Sequence, residues 1–497
     1  MALAQDRSGG TAVPQGHLNV RRHGKEGTGM TLQSYHELIA GKRVAFQPSG
    51  FTDVDEGALP SRLFDHQRHG AAFALRCGSG ALFYDTGLGK TAMALVWGNE
   101  IVRRTNKPVL MLAPLAVGAQ HVEEAQAFGI EATQSRDGAA PIRPRIVVTN
   151  YERLEKVNPD LWGGMILDES SILKSFTGKT TRRLIKAFER TPYRLACTAT
   201  PAPNDHTELG QHSHFLGVME APEMLSRWFI ADQTQMGRYR LKKPAVRPFW
   251  DWVASWARCV SKPSDLGFSD DGFEMPPLNL HRHLVAADRG IDTGEEKNGQ
   301  IRLFRTPDMS ATSIHREKRL TSIARAAKLA EIVAAEPSEP WIIWVETDYD
   351  ADAVREAIPE AVEVRGSMSI EKKEERLQAF ARGEIRILLS KPSICGFGLN
   401  WQHCARMAFM GLSFSYESFY QAVRRCWRFR QKRAVEVHVV CADTEEAIWQ
   451  VVSRKAGDHD AMKAAMAAAM SRAARSSKTL LTYQPHQEAT LPAWMLS

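Results

Sequence analysis

Ala81-Leu82-Phe83-Tyr84-Asp85-Thr86-Gly87-Leu88-Gly89-Lys90-Thr91 reads as a short apolar strand followed by a glycine-rich turn, and Ala92-Met93-Ala94-Leu95-Val96 continues it as a helix. A turn of this kind aims backbone N–H groups and the positive end of a helix at one point, which suits a phosphate. Lys90 then reaches the β- and γ-phosphates of a nucleotide, and Thr91 holds Mg²⁺ through its hydroxyl. The strict spacing Gly-x-x-x-x-Gly-Lys-Ser/Thr asks for glycine at position 84, where this chain has Tyr84. Read alone, the stretch therefore leaves an incidental glycine-rich turn as a competing explanation.

Working outward, the runs Val109-Leu110-Met111-Leu112, Ile146-Val147-Val148, Met165-Ile166-Leu167 and Arg194-Leu195-Ala196-Cys197 alternate with helix-like stretches. Continuous apolar strands separated by helices predict a parallel sheet covered on both faces. Ligands of such sheets sit beyond the carboxyl ends of the strands. Asp168-Glu169 closes one of these runs, which would let Asp168 hold Mg²⁺ and Glu169 orient and deprotonate an attacking water. An acidic pair capping the next helix is the bland alternative. Thr198-Ala199-Thr200-Pro201, with Asn204 beyond it, follows another strand and offers small hydroxyls that sense a γ-phosphate, or else a plain turn.

Residues 217–278 change character, with Trp228, Trp250, Trp252 and Trp256 among basic residues, and read as a helical insertion. Core packing explains these tryptophans more simply than stacking on nucleic-acid bases. A polar stretch from Asp288 to Gln300 precedes a second alternating series that starts at Trp341-Ile342-Ile343-Trp344-Val345 and runs through Ile385–Leu389 and Val435–Val440. In this half Gly396-Phe397-Gly398-Leu399-Asn400 follows a strand, and Gln421–Gln431 follows a helix start near Tyr416. Arg425 and Arg428 lie three apart, so a helix places them on one face, either as arginine fingers reaching across a cleft or as a solvated basic surface. Ala461–Ala474 is an Ala- and Met-rich helix, and an irregular tail with Trp494 follows.

A chain of 497 residues accommodates two or three α/β domains. Its 64 Lys+Arg against 57 Asp+Glu give a net charge of +7, which permits a polyanionic partner without demanding one. Seven cysteines with no Cys-x-x-Cys pair argue against disulfide and zinc frameworks and predict a reducing, cytoplasmic setting. No apolar run approaches the roughly 18 residues of a membrane span, and the first 30 residues are polar and glycine-rich, with no signal-peptide core.

Taken in order, these segments resemble the superfamily-two helicases over most of the chain, and their Swi/Snf-like DNA translocase branch in particular. Leu63-Phe64-Asp65-His66-Gln67 resembles the adenine-reading segment, with Gln67 as its glutamine. Leu112-Ala113-Pro114-Leu115 and Thr149-Asn150-Tyr151 resemble the DNA-contacting motifs, and Gly396–Asn400 and Gln421–Gln431 resemble the second-lobe motifs of that branch. The resemblance implies an α/β fold of two RecA-like lobes with a short helical insertion and a C-terminal helical tail. The expected boundaries are a flexible 1–30, a first lobe at 31–216, the insertion at 217–278, a linker at 279–300, a second lobe at 301–455 and the tail at 456–497. It implies ATP and Mg²⁺ as cofactors, with Lys90, Asp168, Glu169, Arg425 and Arg428 catalytic. Gln67, Thr86, Gly87, Gly89, Lys90, Thr91, Asp168 and Gly398 would bind the nucleotide, with Thr91 and Asp168 holding the metal and Pro114, Asn150 and Asn400 touching nucleic acid.

Four positions depart from the family pattern: Ser170-Ser171 end the acidic motif, Trp427 replaces a usual histidine and Arg430 a usual glycine. The implied protein is a monomeric, compact prokaryotic or phage motor that moves on duplex DNA. The alternatives are an ATP-gated DNA clamp, a helicase that separates DNA or RNA forks, and a packaging ATPase; the last would end in an acidic nuclease centre, where this chain shows arginine-finger spacing.

Overall fold

The structure, a computed structural model, describes residues 47–114, 117–233, 238–287, 311–395 and 401–475. The first sheet is built from β1 (Ser79–Tyr84), β2 (Val109–Ala113), β3 (Ala132–Gln134), β4 (Ile146–Asn150), β5 (Gly164–Asp168), β6 (Tyr193–Cys197) and β9 (Ala257–Val260). Its strand order is β3-β4-β2-β5-β6-β1-β9, and every pairing is parallel. β1, β2, β4 and β5 are buried at every residue, as their unbroken apolar runs require when helices cover both faces. Because β5, β6 and β1 are neighbours, the loops that leave their carboxyl ends emerge side by side.

The helices that shape this edge are α1 (Asp65–Cys77), α2 (Lys90–Thr105) and α3 (Gly118–Ala127). A small antiparallel hairpin, β7 (Phe229–Ala231) with β8 (Tyr239–Leu241), precedes α4 (Val246–Trp256). Trp228, Trp250, Trp252 and Trp256 are all buried in the first core, with the Trp228 and Trp252 rings 4.5 Å apart. They pack rather than present faces to a ligand.

The second sheet comprises β10 (Leu278–Val285), β11 (Trp341–Val345), β12 (Val362–Val364), β13 (Ile387–Ser390), β14 (Arg406–Met410) and β15 (Val435–Ala442). Its order is β10-β15-β14-β11-β13-β12, again parallel throughout. Beyond β14 comes α5 (Tyr416–Val423), and beyond β15 comes the long C-terminal helix α6 (Glu446–Arg475).

Two segments differ from their expected assignment. Within the expected helical insertion, Ala257–Val260 forms β9 and pairs with β1 at the edge of the first sheet. Arg258 interrupts its apolar run, but the guanidinium lies 3.5 Å over the Phe73 ring and donates to the Ala254 carbonyl at 2.8 Å, so burial there is tolerated. Within the expected linker, Leu278–Val285 forms β10, an edge strand whose His281 and His283 rings stack with His438 of β15. The C-terminal helix also begins earlier than its Ala/Met-rich part. Its Met462, Met466, Ala469 and Met470 are buried in the core of the first sheet, although the helix departs from the second. The expected flexible 1–30 and the tail beyond residue 475 lie outside the described residues.

Candidate active site

A cleft of about 530 Å³, within the usual range for a small-molecule site, opens between the carboxyl edge of the first sheet and the segment of the second half that leads into β15. Thr86, Gly87, Gly89, Lys90 and Thr91 line it, as do Gln67, Asp168, Glu169, Arg425 and Arg428. The loop between β1 and α2 owes its shape to two glycines in the left-handed region, Gly87 at φ 90° and Gly89 at φ 80°. A Cβ on Gly89 would stand 2.2 Å from the Gln67 amide nitrogen, and one on Gly87 would stand 3.0 Å from the Phe429 ring. Any larger residue is thus doubly excluded. Gln67 fastens the loop to α1, donating from Nε2 to the Leu88 carbonyl at 3.1 Å while its Oε1 accepts the Phe64 N–H at 3.1 Å. The Lys90 ammonium donates to the loop's own carbonyls, Tyr84 at 2.8 Å and Asp85 at 3.3 Å.

Glu169 sits just beyond β5 with φ 53°, a left-handed backbone in a non-glycine residue, which marks a site where other interactions hold strain in place. Burial raises its carboxyl above the ordinary range and Asp168 adds to the rise, against the opposing pull of Lys90 and Arg425. Asp168 moves the other way. Burial acts on it too, but His121 and Lys90 outweigh that and hold the carboxyl below its usual range. His121 Nε2 lies 2.8 Å from Asp168 Oδ2, and Tyr151 donates its hydroxyl to the Asp168 carbonyl at 2.6 Å. Burial lowers the Lys90 ammonium, opposed by Glu169, Asp85 and Asp168. On the opposite wall, burial pushes Arg425 and Arg428 down to about 10, so both guanidinium groups remain charged at neutral pH. Arg428 Nε is buried without a hydrogen-bond partner among the described residues.

Two family models match the chain in succession, the SNF2-related domain over residues 66–243 and the helicase conserved C-terminal domain over residues 324–430. The chain belongs to the SNF2-related helicases. As such it is an ATP-hydrolysing motor of the superfamily-two helicase and translocase class. A phage relative, "Putative protein p41" of Acyrthosiphon pisum secondary endosymbiont phage 1, is 24% identical over 443 residues, covering 76% of this chain and 93% of the relative. The human DNA annealing helicase and endonuclease ZRANB3 is 22% identical over 447 residues, covering 80% of this chain and 40% of that longer protein. The Sulfolobus solfataricus SWI2/SNF2 ATPase core in complex with dsDNA superposes with a TM-score of 0.40 at 17% identity, covering 88% of this chain and 100% of that one.

In this SNF2-related helicase the two sheets are joined by a line of hydrogen bonds. Thr198 Oγ1 donates to Glu169 at 3.4 Å and accepts the Thr200 N–H at 3.1 Å. Gln421 Nε2 donates to Thr200 Oγ1 at 3.2 Å, and Arg425 donates to the Gln421 backbone carbonyl at 3.1 Å and to its side-chain oxygen at 3.3 Å. Ser171 takes no part in this line; it is buried, while its neighbour Ser170 pairs with His212 at 3.1 Å. Trp427 donates its indole N–H to the Pro276 carbonyl at 2.8 Å, and Arg430 lines the cleft with φ 72°, a conformation that glycine would adopt without cost.

Pro114 and Asn150 lie apart from this cleft, at the carboxyl ends of the paired strands β2 and β4. Asn150 is buried, and its Oδ1 has no hydrogen-bond partner among the described residues. Gly398 and Asn400 fall outside the described residues. Several residues of the site carry no sequence signal. His121 lies on α3 at no fixed spacing from the acidic pair, and Phe273, edge-on to Phe64 at 5.1 Å, reaches the cleft from the segment expected to be an insertion. The signal missed for Phe273 is positional, since it lies three residues before the Pro276-Pro277 that leads the chain into β10.

Proposed function

We propose that this chain hydrolyses ATP in the cleft described above and uses the cycle to move along duplex DNA as a monomer. The line of hydrogen bonds from Glu169 through Thr198, Thr200 and Gln421 to Arg425 carries the reading, because it ties the γ-phosphate end of one sheet to the arginines of the other. Lys90 and the N–H groups at the start of α2 neutralise phosphate, and Gln67 together with Phe64 and Phe273 bounds the base end. Glu169, raised by burial, orients the attacking water and accepts its proton. Arg425 and Arg428 stabilise the charge that develops on the γ-phosphate during transfer.

The donors present fit a divalent ion. Thr91 offers a hydroxyl and Asp168 a carboxylate at the mouth of the glycine cradle, and a bound Mg²⁺ would supply charge neutralisation between the phosphates. Pro114 and Asn150, on the carboxyl edge beyond the cleft, with Asn400 of the second lobe, are assigned to contacts with the nucleic-acid backbone. Such contacts carry little sequence information, so binding is non-specific. The DNA-acting relative and the SNF2-related match favour DNA over RNA as the track.

The test is ATP hydrolysis at one salt concentration with no nucleic acid, duplex DNA, single-stranded DNA and RNA, together with displacement of a triplex strand. Duplex stimulation with triplex displacement is expected. Stimulation by RNA alone would overturn the assignment, and unwinding of a forked duplex without triplex displacement would make the protein a strand-separating helicase.

A further inference from the structure

Asp85, the first residue of the phosphate loop, is gripped from three sides. Its Oδ1 accepts the Thr86 N–H of its own loop at 2.7 Å, the Tyr420 hydroxyl at 2.6 Å and the Arg424 guanidinium at 2.8 Å. Its Oδ2 accepts the Lys463 ammonium at 2.8 Å, and Lys463 also donates to the Tyr420 hydroxyl oxygen at 2.9 Å. Arg424 in addition donates to the Thr86 carbonyl at 3.0 Å. One buried carboxylate therefore joins the loop to α5 of the second sheet and to the C-terminal helix α6. On its far side α6 is seated in the first core through Met462, Met466 and Met470, and Arg472 pairs with Asp251 of α4 at 2.7 Å.

We propose that Lys463 is a positioning residue of the nucleotide site, setting the phosphate loop through Asp85 so that docking of the C-terminal helix and binding of nucleotide are thermodynamically coupled. The inference rests on the cleft being the nucleotide site. Its physical basis is that an ion cluster withdrawn from water is stable only when complete, so loss of either cation leaves Asp85 underpaired and the loop free to take other shapes. Loading phosphate draws the Lys90 ammonium away from the Tyr84 and Asp85 carbonyls, and the grip on Asp85 holds that strand-to-loop junction in place while this happens. Coupling of two sites is reciprocal, so nucleotide must steady α6 as much as α6 steadies the loop.

The experiment compares wild type, Lys463→Met, which keeps the packing volume and drops the charge, and Lys463→Arg, which keeps the charge. Fluorescent ADP binding, steady-state ATPase kinetics and amide hydrogen exchange over residues 459–470 are the readouts. Lys463→Met is expected to weaken ADP and raise KM about tenfold with a much smaller change in kcat, the usual size of a coupling between sites. It should also abolish the slowing of exchange that ADP produces in wild type, and Lys463→Arg should restore both. Should Lys463→Met fail to fold, Tyr420→Phe removes one donor to Asp85 and carries the same test. Wild-type ADP affinity and unchanged ADP-dependent protection in the variant would overturn the inference, as would equal losses in the Met and Arg variants. A wild-type protein that binds no ADP would instead overturn the reading of the cleft.

Discussion

At the carboxyl edge of the first sheet, β1, β5 and β6 deliver Lys90, Glu169 and Thr198 on loops that leave their strands at once. The second sheet meets the same cleft through Arg425 and Arg428, which lie beyond the helix that follows β14. The first set is held by contacts within its own half: Lys90 by the Tyr84 carbonyl, Asp168 by His121 and the loop by Gln67. The arginines depend on the Gln421 side chain, which is itself anchored across the cleft on Thr200. Asp168 and the Gln67 side of the loop are therefore held within one half, whereas Asp85 at the start of the loop and the arginines of the other edge both depend on the halves meeting. Phosphate is held chiefly by the first edge, while the setting of its loop and the rate depend on their meeting.

The largest effect that would break this division is at Lys90. Lys90→Ala should abolish nucleotide binding or hydrolysis, whereas Glu169→Gln should bind ATP and stall, because only the proton acceptor is lost. Equal loss of ATP binding in both would erase the distinction, as titration with a fluorescent ATP analogue would show. Next, Arg425→Ala and Arg428→Ala should lower kcat by about 10³ or more, the usual cost of losing an arginine finger, while ATP affinity stays within a few-fold. Rates close to wild type in both would make that wall a passive basic surface.

A smaller effect concerns acid. Burial depresses His66 and His212 in the first half, His438 in the second and His459 on α6 from 6.5 to about 4. The unfolded chain binds more protons than the folded one between these values, so the stability is complete above about 6.5 and is lost as the pH falls toward 4. Tm recorded against pH should decline through that window, and His212→Gln should flatten the decline; a Tm that is level from 6.5 to 4 would contradict the burial of these rings. The smallest effect is at Arg430. Arg430→Gly relieves a left-handed backbone and should stabilise by at most about 1 kcal/mol, read as a slight rise in Tm. A drop would mean that contacts of the side chain hold the backbone there.

What the sequence disclosed and what it hid follow from the range of the interactions involved. Period and punctuation are local, so the apolar run of β1, the glycine turn and the acidic pair after β5 could be read directly; Arg425 and Arg428 do share the cleft, but the helix expected to carry them ends at Val423 and they lie in the turns beyond it. β9 was hidden because Arg258 breaks its apolar run and finds its compensation over Phe73, a contact that no local pattern encodes. β10 was hidden because His281-Arg282-His283 interrupt the alternation and its residues are mostly exposed, so an edge strand resembles a linker. His121 meets Asp168 across 47 residues and Lys463 meets Asp85 across 378, and such pairings become visible only once the chain has folded.

The methionine face of α6 bears on how the molecule comes to be made. Residues 462–470 complete a core whose strands run from residue 79 to residue 260, so the amino-terminal half leaves the ribosome with an unfilled apolar trough and stays that way until about two hundred further residues have been joined. Synthesis at roughly 5–20 residues per second makes that an interval of tens of seconds. Over that time the nascent first half presents to the cell the kind of surface that chaperones hold, and the thioether side chains, being unbranched and adaptable, suit a late arrival to a cavity already walled on its other sides.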